Sequence, residues 1–468
     1  MTTHACIALA DRLNAGCHCE SLDRARLDSE LERASQGFNE LVMAQRPHLF
    51  SSSVTFVGDE HIRQMAALIA AIEQVVAMPA YQAHVLAHAP DIAHHQPAAR
   101  GVFLGYDFHV GRMGPQLIEI NTNAGGGLLN ALLARAQKIC CEEVEALLPG
   151  DLAHATPEQM FLDMFRAEWQ TGAGHVRRPK SGLSRDGSAQ QRVQTFPAVT
   201  QKRVQRFKDT ATHNFSLTTV AIVDLAPQSQ YLYPEFLLFQ RLFTEAGIEA
   251  VICDPAELEF RDDALWHGAK KIDLVYNRLT DFSLSEPASA ALRAAYLADA
   301  AVITPHPRAH ALYADKRNLV ALSDADLLAS WGVDEATRGV LAAGIPHTER
   351  VTPERAADFW ARRRQLFFKP ATGYGAKAAY RGDKLTKRVF EEVLAGDTVA
   401  QALVPPSQRM LQMGETPVEL KIDLRNYVYA GHVQLIAARL WAGQTTNFRT
   451  PGCGFAPVLA VPCRQDAA

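Results

Sequence analysis

No apolar run in this chain approaches the length of a bilayer span, so the sequence offers no membrane-crossing helix. Charge of one sign is not in excess either: the formal net charge is −4 over 468 residues, which gives no general case for nucleic acid or an anionic membrane as partner. Met1-Thr2-Thr3-His4-Ala5 lacks the basic-then-apolar pattern of a secretory leader, so a cytoplasmic location is the expectation, with the 8 cysteines as reduced thiols. Cysteine pairs at zinc-clip spacing are missing, because Cys17-His18-Cys19 crowds its ligands and no second pair follows. Cys140-Cys141 lies in a helical stretch beside Glu142 and Glu143 and is no better placed. His84 and His88 stand four apart, but no glutamate follows His84, which excludes a metalloprotease helix and leaves them as solvated or capping histidines. A Walker Gly-Lys-Ser/Thr is also lacking.

What the chain does have is apolar content: 48% is ample for full cores in two or three domains. Residues 21–45 and 59–89 carry apolar positions at helical spacing. Val102–His109 and Gln116–Asn123 read as a hairpin turning at Gly111 and Gly114, followed by Gly125-Gly126-Gly127 and a helix from about Leu128. The three glycines are either an anion nest or a tight loop with no ligand. From Thr218 the pattern is β/α: strands over 220–224, 250–253 and 273–276 alternate with helices over 235–246 and 287–300, which implies a parallel sheet. The last third, from Tyr313, reads as mostly hairpins. Four domain spans follow: 1–170 (helices plus the early hairpin), 171–214, 215–312 and 313–462. Within 171–214, nine Lys/Arg stand against one acid between His175 and Lys208. That segment reads as a mobile basic linker, the alternative being contact with an acidic partner or RNA.

Strand period puts Glu119 and Asn121 on one face, with Leu117, Ile118 and Ile120 left to pack. A hairpin centred near Met113 sets Asp107 opposite Glu119. Two carboxylates and an amide oxygen form an all-oxygen set suited to Mg²⁺, and two carboxylates converge at low cost only with a cation between them. A solvent-exposed polar strand face is the plainer reading. Asn277-Arg278 follows the third β/α strand, where parallel sheets place ligands, so Arg278 is either a substrate arginine or a surface ion pair. Glu419, Lys421, Asp423 and Arg425 share one strand face, opposed to Leu420, Ile422 and Leu424, which fits a sheet with its front over a polar cleft.

Gly373-Tyr374-Gly375-Ala376-Lys377-Ala378 mimics a dinucleotide fingerprint, but 378–381 reads as a strand where that fingerprint needs a helix. A glycine flap remains, with Lys369 on the incoming strand to hold α- or β-phosphate oxygens. Lys316 is a second phosphate lysine. Thr398–Val404 is an edge strand whose backbone, around Gln401, Ala402 and Val404, reads adenine. Arg425, Asn447 and Arg449 are candidates for phosphate or carboxylate contact.

Together these motifs resemble the circularly permuted ATP-grasp ligases, especially eukaryotic-type glutathione synthetases, with a partial similarity to glutathionylspermidine synthetase. The resemblance spans most of 100–460. It rests on Ile118–Thr122, Val275–Arg278, Asp315-Lys316-Arg317, Phe368-Lys369-Pro370 with its flap, and Phe448-Arg449-Thr450 followed by Gly452–Ala456. It implies an ATP-grasp fold of mixed α/β and α+β class with a parallel-sheet β/α substrate domain. Glu119 and Asn121 would be Mg²⁺ ligands, with Asp107 a third, as in the spermidine-coupling relatives. Lys316 and Lys369 would be ATP contacts, and Arg278 and Arg449 substrate contacts. The implied activity is ATP- and Mg²⁺-dependent joining of a carboxylate to an amine through an acyl phosphate. The acid and amine would be an amino acid, small peptide or polyamine. An ATP-grasp phosphotransferase and a non-catalytic ATP-binding scaffold are the alternatives. The flap carries Gly373 where glutathione synthetases place a glutamate ligand, and Pro451 stands where they carry a basic residue, so glutathione itself is not assigned.

Overall fold

The computed structural model describes residues 5–34, 37–138, 156–176, 216–373, 378–413, 415–443, 446–448 and 450–463. In chain order the strands are β1 (Thr55–Gly58), β2 (Leu104–Gly111), β3 (Gly114–Asn121), β4 (Thr219–Val223), β5 (Glu249–Cys253), β6 (Leu258–Arg261), β7 (Ala264–His267), β8 (Lys270–Ile272) and β9 (Leu274–Asn277). They continue as β10 (Val302–Thr304), β11 (Thr348–Arg350), β12 (Leu366–Pro370), β13 (Tyr380–Arg381), β14 (Thr398–Ala402), β15 (Ser407–Met413), β16 (Thr416–Tyr429), β17 (His432–Trp441) and β18 (Gly454–Val461). The largest sheet runs β1-β18-β17-β16-β2-β3, with β15 also on β16. The early hairpin is therefore spliced directly onto strands from the far end of the chain. A parallel sheet, β10-β9-β4-β5, forms the β/α unit expected from the sequence, and β11-β14-β12-β13 forms a third sheet, in which β14 is paired on both sides and is not the edge strand expected over 398–404.

Local chemistry explains the hairpins. Ala430 and Gly431 both have positive φ, +49° and +79°, the geometry that lets a two-residue turn follow strand twist between β16 and β17. Gly114, at φ +88°, closes the turn between β2 and β3. Beneath the largest sheet the helix Asp59–Val76 buries Met65, Leu68, Ile69, Ile72 and Val75 against Tyr106, Phe108, Leu117 and Ile120. Each such side chain contributes roughly 1.5–3 kcal/mol of burial.

Several expectations are corrected. The single helix expected over 59–89 breaks at Met78, which is extended (ψ 132°) because Pro79 disfavours helical backbone before it. The helical stretch over 21–45 resolves into Arg24–Ala34 and a short π turn at Glu40–Ala44. The last third is not mostly hairpins, since helices at Asn318–Leu322, Ala325–Ser330, Glu335–Gly344, Ala356–Arg362 and Lys387–Ala395 interleave its strands. Residues 171–176 belong to the helix Pro157–Val176, and the rest of the expected linker lies outside the described residues, as does Cys140-Cys141. The cysteines are not all thiols: Cys6 is disulfide-bonded to Cys463, with Cα atoms 4.6 Å apart. Among the described residues no single helix is long and apolar enough to cross a membrane.

The helix Ala5–Gly16 is stapled by Arg409, which is fully buried. Its guanidinium donates to the carbonyls of Asn14 (3.1 Å), Cys17 (2.6 Å) and Val54 (3.0 Å) and to Ser53 Oγ (2.8 Å). Arg409→Met keeps the aliphatic bulk but strands these acceptors away from water. A loss of about 3 kcal/mol is expected in chemical denaturation.

Candidate active site

Cross-strand register builds the site. Glu119 on β3 pairs with Asp107 on β2, and Asp107 with Arg425 on β16, so three charged side chains line up across adjacent strands. One row on, Asp423 pairs with Arg439 of β17. The expected juxtaposition of Asp107 and Glu119 is therefore present. Its alternation is not regular: the ladder passes from Asp107↔Glu119 to Phe108↔Leu117, leaving Ile118 as an extra, bulged residue. Leu117 and Ile120 consequently pack in the core, whereas Ile118 joins Glu119 on the cavity wall instead of packing. The bulge also aims the Ile118 carbonyl at the third sheet, where it accepts from Lys369 Nζ at 2.6 Å.

Lys369 is buried on β12. It donates also to Gln401 Oε1 of β14 (2.8 Å), and Gln401 is held by Thr348 Oγ1 (3.3 Å). Burial lowers the Lys369 pKa to about 8, with Glu119 opposing the shift. Burial works against ionisation of Glu119 too, but Lys316, Lys369 and Arg439 prevail and hold its pKa at about 2. Lys316 reaches across the mouth and donates to the Gly373 carbonyl (3.0 Å).

These groups surround one cavity of about 430 Å³. Its lining includes Glu119, Asn121, Lys316, Lys369, Gly373, Gln401, Ala402, Val404, Asp423 and Arg425. It also includes His109, Arg381, Lys421, Arg439 and Trp441, whose place sequence reasoning did not single out except for Lys421 on its charged face. Cations outnumber carboxylates on this wall, and a confined positive field suits a polyanion.

Asp107 departs from its expected role. It is fully buried, and its oxygens accept from Arg425 (2.7 and 2.6 Å), Arg439 (2.7 Å) and the Asn121 amide (3.0 Å). Its charge is thus answered by two guanidiniums, which makes it the anchor of those arginines and not an open ligand. Among the described residues no group of three or more His, Cys, Asp or Glu side chains is placed to hold a metal ion. Glu119 and Asn121 still fit Mg²⁺, which commonly takes one or two protein oxygens and completes its shell with phosphate and water.

Arg278 is neither at the surface nor on the cavity wall. It is buried behind Gly125, where its Nη1 donates to the Tyr276 hydroxyl (3.3 Å) and its charge is felt by Glu235. The glycine loop is likewise no open nest. Glu235 Oε2 accepts from the Gly126 N–H (2.7 Å) and Oε1 from the Leu128 N–H (3.1 Å), so a carboxylate of the protein already occupies it. A Cβ at Gly125 would lie 2.4 Å from Leu232 Cδ1 and 2.7 Å from Arg278 Nη2, which explains the glycine there as a close approach. Asn447 donates to the Ala442 carbonyl (3.0 Å) in the loop after β17, with its neighbour Thr446 reaching the cavity. Tyr374, Gly375 and Arg449 lie outside the described residues.

A second cavity, of about 880 Å³, shares Gly373 with the first and extends to the C-terminal end of the β/α sheet. Its wall includes Thr280, Asp281, Phe282 and His310, the last two with rings stacked 3.8 Å apart.

Structural comparison places this arrangement. A glutathione synthetase-like effector from Globodera pallida, solved in the apo form, superposes with a TM-score of 0.51 over 94% of this chain and 98% of its own, at 9% identity. The fold is glutathione synthetase-like. A protein assigned as a gamma-glutamylcysteine synthetase from Methylobacillus flagellatus aligns at TM-score 0.39 and 9% identity, over 83% of this chain and 85% of its own. The ATP-grasp ligase PsnB, solved with a minimal precursor, Mg and ADP, aligns at TM-score 0.28 and 15% identity, over 51% and 87%. No family model matches the sequence, and no curated protein does. In the glutathione synthetase-like frame, the hairpin and the lysine strand come from the first and last thirds of the chain and close on one another.

Proposed function

We propose that the protein is an ATP- and Mg²⁺-dependent ligase that joins a carboxylate to an amine through an acyl phosphate. One observation carries this reading: Glu119, Lys316 and Lys369, distant in sequence, border one cavity about the size of a nucleotide and rich in cations. A carboxylate must be activated before an amine attacks it, and phosphoryl transfer asks for positioning and charge neutralisation and needs no protein nucleophile. Lys369 and Lys316 would hold phosphate oxygens, the stretch Gln401–Val404 at the end of β14 would meet the base, and Gly373 would border the phosphates. Glu119 and Asn121 would hold Mg²⁺, which neutralises phosphate charge when bound. Arg425 and Arg439, fixed by Asp107, would face charge developing on the transferred group. The acid attacks the γ-phosphorus, ADP leaves, and the amine displaces phosphate to give the amide. The adjoining larger cavity is the natural seat for the acid and amine, an amino acid, small peptide or polyamine, with Arg278 acting through the loop it supports.

The deciding experiment is a phosphate-release screen over such acids with and without amines, followed by product mass. The ligase reading predicts release that needs both substrates and a product equal to their sum less one water. ADP formed with a phosphorylated acid and no amide would make the protein a phosphotransferase. Nucleotide binding without turnover on any substrate would make it a scaffold.

A further inference from the structure

The two cavities that meet at Gly373 have walls of opposite charge. The first sets Lys316, Lys369, Arg381, Lys421, Arg425 and Arg439 against Glu119 and Asp423. The second carries Asp281, Glu286 and Asp315 and, among the described residues, no lysine or arginine. Its imidazole, His310, adds no positive charge, since burial lowers its pKa to about 4. Asp315 is answered from beyond the wall by Arg317, whose Nε donates to Oδ1 at 3.0 Å. Asp281 is held by uncharged donors, among them the N–H groups of Ser285 (2.9 Å) and Glu286 (3.0 Å). Burial opposes its ionisation, but these donors prevail and hold its pKa below the usual carboxylate range. Glu286 is exposed and makes no ion pair among the described residues. The carboxylates do not converge as metal ligands would, since no described group of three is placed to hold an ion. The rest of the wall includes Ile92, Ala93, Leu279 and the stacked rings of Phe282 and His310. Dispersed negative charge beside apolar surface suits an organic cation with an aliphatic body, and it disfavours a carboxylate, which would meet like charge there.

We propose that the second cavity takes the amine substrate, and that this amine is an aliphatic diamine or polyamine whose far ammonium group is held by Asp281 and Glu286. This rests on the ligase reading and names the class of one of its two substrates. The shared border at Gly373 opens the first cavity, where the acid is activated, to the near nitrogen of such a chain. The far end keeps its proton and stays against the carboxylates. An amino acid in the same place would bring its own carboxylate to an acidic wall.

The test is calorimetric titration of the full chain with 1,4-diaminobutane, n-butylamine and 4-aminobutanoate, which differ in the group at the far end. The diamine is expected to bind at least about tenfold more tightly than butylamine, and 4-aminobutanoate more weakly than either. Glu286→Gln, at an exposed position where the fold tolerates change, should cut the diamine's advantage by about threefold, the size of one solvent-exposed charge pair. Glu391→Gln, an exposed site outside the cavity, should leave that advantage intact. Absence of diamine binding, 4-aminobutanoate binding as tightly as the diamine, or a Glu286→Gln variant with an undiminished preference would overturn the proposal. The ligase reading fails separately: a diamine that binds with this preference but is never joined to any acid in the phosphate-release screen sinks that reading and leaves the amine site standing. Amide formed with amino acids in preference to diamines does the reverse.

Discussion

Glu119→Gln is expected to cut Mg²⁺-dependent turnover on the order of a hundredfold or more, and to lower the unfolding transition while the protein still folds, because a carboxylate whose pKa is depressed in the folded state stabilises it at neutral pH. The substitution is isosteric and removes the one carboxylate among the described residues of the cavity wall that is not bound to a guanidinium. Its charge is held ionised against burial by Lys316, Lys369 and Arg439, so the glutamine loses a full negative charge at any working pH. Asp107 provides the contrast. Asp107→Ala leaves Arg425 and Arg439 buried without their shared counter-ion, and breaking a buried pair in this way costs about 3–5 kcal/mol. The two variants should therefore separate in thermal melts: a soluble, cooperative but inactive Glu119→Gln beside a markedly destabilised Asp107→Ala. A Glu119 variant that fails to fold, or an Asp107 variant with native stability, would reverse these assignments.

Lys369→Met should weaken ATP binding by more than about tenfold, 1.4 kcal/mol, and should also erase a pH dependence. The wild-type ammonium titrates near 8 because it is buried. Bound phosphate favours the charged form, so the pKa rises on binding. Affinity should then be level below pH 8 and fall as pH climbs from 8 towards the bound-state value. With methionine there is no proton to lose, and affinity should be flat across that window. Titration of labelled ATP at several pH values would decide it. A wild-type curve that rises above pH 8, or a variant that keeps the wild-type slope, would remove Lys369 from the phosphate site.

Much of this site was legible because its signals are periodic. Alternation along 419–425 put Lys421, Asp423 and Arg425 on one face, and all three line the cavity. Turn residues at 111, 114, 430 and 431 fixed two hairpins, and with them the opposition of Asp107 and Glu119. What escaped depends on partners from other parts of the chain. Arg439 is one charge on a mostly apolar strand, and its importance comes from the Asp423 and Asp107 facing it. His109 is unremarkable until Val404, 295 residues later, is seen against it. The glycine loop read as a possible nest because no local signal announces that Glu235, 109 residues on, fills it. The helices of the last third were missed because they are short and lie among strong strand patterns.

The extra residue at Ile118 sets how this hairpin can vary over evolutionary time. Upstream of it the core-facing phase is set by Leu117, downstream by Ile120, and the two are out of step by one. Substitutions that keep size and polarity leave the frame intact. Loss of that one residue would restore plain alternation, with Leu117 still facing the core and Glu119 the pocket, but would take away the bulged carbonyl that holds Lys369. Segment length, more than residue identity, is what this stretch cannot trade.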